Sequence, residues 1–152
     1  MAADRSYVTE NQAQLTRLET LVDRLSDRDL ARPMDAGWTV SGVLAHLAFW
    51  DYRIVVLLDG WGADGRGTRP PVFSESSVDW VNDAGKPLCL ALPPREAGRL
   101  AIAAAKAADQ RVAVLSDALI AANGAAGSPI NVDRAEHRRE HLDEIERTLA
   151  RR

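Results

Sequence analysis

Apolar residues recur along this chain at helical spacing and do not alternate as a half-buried strand requires. Val8, Leu15, Leu18, Val22 and Leu25 are separated by steps of three, four and seven, which places them on one face of a helix. The spacing predicts a first helix over residues 6–25. Ser26 or Asp27 can cap a short turn through Leu30, and Pro33 stops it, because proline disfavours helical geometry in the residue before it. Thr39 is the natural N-cap of a second helix of about nineteen residues, striped with Val43, Leu47, Trp50, Ile54 and Leu57. Gly60 is placed to end it.

Beyond it, residues 60–71 carry four glycines and two prolines and read as a loop. Residues 74–90 read as a short helix interrupted near Gly85 and Pro87. Pro93 and Pro94 suit the first turn of a third long helix, alanine-rich as far as Leu115, with Leu100, Ala104, Ala108 and Leu115 as its buried face. NGAAGSP at residues 123–129 reads as a flexible break, and residues 133–149 as the fourth long helix. The expected fold is therefore all-α: one domain over residues 1–152, an antiparallel four-helix bundle with a long, partly helical connection between its second and third helices. Leu25-Ser26-Asp27 and Leu115-Ser116-Asp117 form a weak internal repeat. Each ends a helix and precedes one that bears histidine.

Composition narrows the function. The net charge is −3 with no basic block, so a phosphate-tracking nucleic-acid surface is not expected. The longest apolar stretch, residues 40–58, is broken by His46, Asp51 and Arg53, and the first residues are too polar for a signal peptide. A cytoplasmic protein with no membrane partner is the expectation. The single cysteine, Cys89, cannot form an internal disulfide or a multi-thiolate metal cage.

The three histidines are more informative. His137 and His141 stand at i and i+4, on one helix face and about 6 Å apart in rise, where one cation can bridge them. Such a pair can equally be two surface histidines on a polar helix. Here, however, the face continues to Arg134 and to Ile145 and Leu149, and so overlaps the apolar stripe. His46 lies within LAHLAFW, among apolar neighbours; taken alone it reads as a core histidine bonded to a helix carbonyl or buried side chain. Taken together, three neutral imidazoles on two facing helices make a facial site for Zn, Ni or Fe with coordination positions left open.

GWTVSGVLAHLAFWD, VDWVN at residues 78–82 and AEHRREHLDEIERTL resemble the DinB-like superfamily, which includes the N-terminal domain of mycothiol-dependent maleylpyruvate isomerase. The resemblance runs in order along nearly the whole chain. It implies a four-helix bundle of the DinB-like type, often dimeric, in which His46, His137 and His141 would hold a divalent metal. Some relatives are thiol transferases that use a low-molecular-weight thiol, others metal-dependent hydrolases, and many have no assigned reaction. The expected protein is thus a metal-binding enzyme of the mycothiol-type S-transferase class acting on a small-molecule substrate as a homodimer. A hydrolase, a non-catalytic ligand-binding or stress-response bundle and a dimerising interaction module are the alternatives.

Around that site, Asn82 is a candidate substrate ligand or else a helix cap, and Arg53 can pair an anionic substrate or extend to solvent. Trp38, Trp50 and Trp80 are expected to pack the bundle and wall the pocket, with Trp61 as a lid or dimer contact in its glycine loop. Asp51, Asp133 and Glu144 lie near the histidines in sequence and read as solvated helix charges. Cys89, in an apolar run, is a poor nucleophile.

Overall fold

The computed structural model describes residues 2–151, all helices and connections. Seven α-helices follow one another: α1 (Ser6–Arg24), α2 (Asp27–Leu30), α3 (Val40–Trp61), α4 (Glu75–Ala91), α5 (Pro94–Ala113), α6 (Asp117–Ala125) and α7 (Ala135–Ala150). No strand occurs among the described residues; Pro33 and Thr39 form an isolated bridge. Helix α1 packs on α5 and α7, and α3 packs on the same two and on α4.

Short side chains set the closest of these contacts. Ala97, Ala101, Ala104, Ala105 and Ala108 of α5 are fully buried, and the helix they belong to makes the most extensive pairing, with α3. A run that maximises helix propensity thus also lets two backbones approach. Helix α3 is long and apolar enough to cross a membrane by those criteria alone, yet 61% of its apolar window is buried inside the fold.

Side-chain caps fix several helix starts. Ser26 and Asp29 form a capping box on α2, while Thr39, Ser74 and Ser116 accept backbone N–H groups at the starts of α3, α4 and α6. Both serines of the Leu-Ser-Asp repeat therefore begin a short helix that the sequence did not announce in the second case. Residues 123–125 belong to α6, and the expected flexible break is pinned: Asn123 donates to Ile130 O at 2.8 Å and accepts from Ile130 N at 2.9 Å. Helix α4 runs unbroken through Gly85 and Pro87, correcting the interruption read from them. A helical proline forfeits one backbone hydrogen bond, and on this partly exposed helix the rest of the turn holds.

Helix α3 ends at Gly62, with φ 78°, rather than at Gly60. The chain then folds back on itself, Gly67 N donating to Trp61 O and Thr68 N to Gly60 O. A Cβ on Gly67 would stand 2.1 Å from Gly60 O, so this return requires glycine. Trp61 is consequently a buried core residue, not a lid, while Trp80 is 61% exposed.

The core is layered. One apolar cluster joins Leu15 to Leu25 of the α1 region with Val40 to Ala45, Ala97 to Ala105, Leu142 and Ile145. A second gathers Tyr7, Ile54, Leu58, Trp61, Ala108, Val112, Leu119 and Ile130. Asn11, Asp51 and Asp109, with Arg134 at the start of α7 and Arg138 within it, are joined in one hydrogen-bonded layer near the junction of the two clusters. Arg138 is fully buried. Its Nε donates to Asp51 at 3.1 Å, its two terminal nitrogens to Asp109 at 2.9 and 2.8 Å, and the remaining protons to Asn11 O and Ala105 O at 3.3 Å each. All five guanidinium N–H groups are thereby satisfied.

Candidate metal centre

Two helix starts position the site. The Thr39 cap sets the beginning of α3, seven residues before His46. The Asn11 side chain, on α1, accepts from Arg134 N at 2.8 Å and Ala135 N at 2.9 Å, and donates to Val132 O. It caps α7 from the far end of the sequence and places the turn that leads into His137. Arg134 is locked beside it, its Nε donating to Asp51 at 2.8 Å.

From these anchors the three histidines converge. His46 and His137 approach to 3.2 Å between Nε2 atoms, ring centroids in the trio lie 4.8 to 5.2 Å apart, and one nitrogen from each ring falls within 4.8 Å of the others. Two imidazole nitrogens bound tetrahedrally at 2.0 to 2.1 Å from one ion are about 3.3 Å apart. The His46–His137 spacing therefore fits a shared divalent metal, with a His141 nitrogen within 4.8 Å of both.

The pair also fits in protonation. Burial, then the charge of His141, pushes His46 down to about 4. His137 falls to about 2, again through burial first, then His141 and the Arg134 charge. Both rings are neutral at pH 7 and keep a lone pair. His141 Nδ1 lies 2.8 Å from Glu144 Oε2; a carboxylate oxygen accepts, so Nδ1 carries the proton and Nε2 faces away from Glu144.

The histidines share a cavity of about 1050 Å³ with Trp38, Trp50, Arg53 and Asn82. Trp38 and Trp50 stand edge-on to His46, at 5.6 and 6.4 Å. Asn82 lies inside α4 rather than at a cap, and its Oδ1 accepts from Trp50 Nε1 at 2.9 Å. Arg53 places its guanidinium carbon 5.6 Å from the Trp50 ring and 4.6 Å from Phe73. Val72 and Phe73, from the connection between α3 and α4, and Val78 of α4 complete the wall.

Two residues read as solvated charges have other roles. Asp51 is buried with both arginines, and Glu144 is the partner of His141; Asp133 does remain exposed, accepting from Ala135 N. Arg138 and Asp109 escaped notice altogether. A charge inside an otherwise apolar helix stretch, as Asp51 is, was the available signal. Cys89 is absent from the cavity lining; it packs at the edge of the first apolar cluster, where burial raises its thiol above the ordinary value.

A family model described as the mycothiol maleylpyruvate isomerase N-terminal domain matches residues 12–119. That span includes His46 and stops short of α7, with its two histidines. No curated protein and no solved structure matches the chain.

Proposed function

Because the chain belongs to the mycothiol maleylpyruvate isomerase N-terminal domain family, within the DinB-like superfamily, we propose that it is a divalent-metal-binding enzyme of the thiol S-transferase class. Helices α1, α3, α5 and α7, each in contact with two of the others, would form the antiparallel four-helix bundle, with α4 in the connection. The observation that carries this reading is the convergence of His46, His137 and His141 within one cavity. A divalent metal there, Zn, Ni or Fe, supplies Lewis acidity that lowers the pKa of a low-molecular-weight thiol or of water.

The chain's own residues hold and orient. Glu144 fixes the tautomer of His141, and Trp38 and Trp50 wall the histidine end with apolar surface. Trp50, Arg53 and Asn82 bind the small-molecule substrate. Cys89 lies outside the cavity, so any reactive sulfur arrives with a cofactor. A homodimer belongs to the same reading, with Phe49, Tyr52 and Val56 as an exposed apolar stripe on α3.

Elemental analysis of protein purified without added metal tests the assignment. Close to one transition metal per chain is expected, and a His137→Ala variant is expected to lose it. Absence of metal from the unaltered protein overturns the enzyme reading in favour of a ligand-binding bundle. Chelator-sensitive turnover that needs no thiol moves the assignment to a hydrolase.

A further inference from the structure

Arg53 stands out among the charged groups of the cavity by what surrounds it. No carboxylate lies within ion-pair or hydrogen-bond distance of it among the described residues; its close neighbours are the rings of Phe73 and Trp50. Ring faces hold a guanidinium in place and leave its five N–H donors unused. Burial, then the charge of Arg134, pulls its pKa below the ordinary value, as for a cation held without a counter-charge; arginine stays protonated at neutral pH nonetheless.

Asn82 is likewise half used. The indole N–H of Trp50 can only donate, so its contact at 2.9 Å assigns the amide oxygen to that side. The Nδ2 protons then have no acceptor among the described residues. Asp35, Asp83 and Glu140 also line the cavity, which makes it mixed in charge overall. Arg134 lines the cavity too with only its Nε engaged, and Arg147 and Arg151 line it without an ion pair among the described residues; Arg53 differs from the first in having no carboxylate beside it and from the other two in being half-buried.

We propose that the Trp50 wall is a carboxylate site: Arg53 and Asn82 Nδ2 bind the carboxylate of an extended organic acid whose opposite end reaches the three histidines. The second half of that statement rests on the metal reading above; the first does not. Arg53 lies seven residues along α3 from His46, about 10 Å in rise. The path through the Trp50 ring, 6.4 Å from the His46 ring and 5.6 Å from the Arg53 guanidinium carbon, limits the separation to about 12 Å. The rise along α3 favours an extended acid over a compact one.

Calorimetric titration of metal-stripped and zinc-loaded protein separates the two halves. Hexanoate is expected to bind about tenfold or more tightly than hexanamide in both forms. Arg53→Gln should abolish that preference, and Arg53→Lys should retain part of it. Equal binding of acid and amide, or a preference unchanged in Arg53→Gln, overturns the carboxylate site. A series from 3-mercaptopropanoate to 8-mercaptooctanoate should show an optimum length on zinc-loaded protein only. An acid preference without that optimum overturns the metal end alone; normal metal content without the acid preference overturns the carboxylate end alone.

Discussion

The start of α7, from its N-cap Arg134 to His141, carries two residue pairs at the same i, i+4 spacing, and the protein treats them in opposite ways. Arg134 and Arg138 turn into the layer near the junction of the apolar clusters, where Asp51, Asp109 and backbone oxygens meet their donors. His137 and His141 turn toward the cavity, where they meet His46, and among the described residues the ring nitrogens find partners only in one another and in Glu144. Around Arg138 the arginine layer is charged, closed and saturated, while Arg134 gives its Nε to that layer and borders the cavity. The histidine group opens on the cavity, with His46 and His137 held neutral by burial. Spacing alone chose neither outcome; the partners on α3 and α5 did, and opening on the cavity is what leaves a group able to bind something from outside.

The comparison can be broken most forcefully on the arginine side. Arg138→Ala leaves two carboxylates buried beside Arg134 alone, and is expected to cost roughly 3 to 5 kcal/mol of unfolding free energy by chemical denaturation. Replacing Arg134, Arg138, Asp51 and Asp109 together by apolar residues of similar volume should recover most of that loss. If the single and quadruple variants prove equally unstable, the layer is valued for its shape rather than its charge balance.

The histidine side responds to pH instead. His46 and His137 are held neutral in the fold, at about 4 and 2, against 6.5 in the unfolded chain. Between those values the unfolded chain binds protons that the folded one refuses. Stability of metal-stripped protein should therefore be flat in these groups above about pH 6.5 and fall as pH drops below it, by about 2 kcal/mol per imidazole at pH 5. Denaturation midpoints across that range measure the slope, which a His46→Gln, His137→Gln double variant should flatten.

Smaller still is the effect of the one carboxylate that touches the histidine group. Glu144→Gln keeps an acceptor for His141 but removes its charge, and metal affinity by competition with a chromogenic chelator should weaken about tenfold. Stability of the metal-free protein should scarcely change, in contrast to Arg138→Ala.

Much of this was legible in the sequence. Apolar spacing located the long helices to within a few residues, Ser26, Thr39 and Ser74 announced their own helix starts, and the scarcity of histidine drew attention to three positions that do converge. What escaped depends on rotation or on distant partners. Trp61 and Trp80 exchange their expected environments, because a residue near a helix end faces inward or outward according to a few tens of degrees. Asp51 and Glu144 look alike as isolated acids on polar-apolar boundaries; only the third dimension gives one two arginines and the other an imidazole. Asn11 could not be read as a helix cap, since the helix it caps begins 124 residues later.

That cap carries a consequence for how the protein is made. Chains emerge from the ribosome N-terminus first, and contacts between distant residues are slow to form. Asn11, His46, Asp51 and Asp109 must all wait for the last helix, which brings Arg134, Arg138 and two of the three histidines at once. The charged layer and the cavity are therefore completed in a single late step, and a metal held by the three histidines would be captured after the folding of most of the chain rather than guiding it.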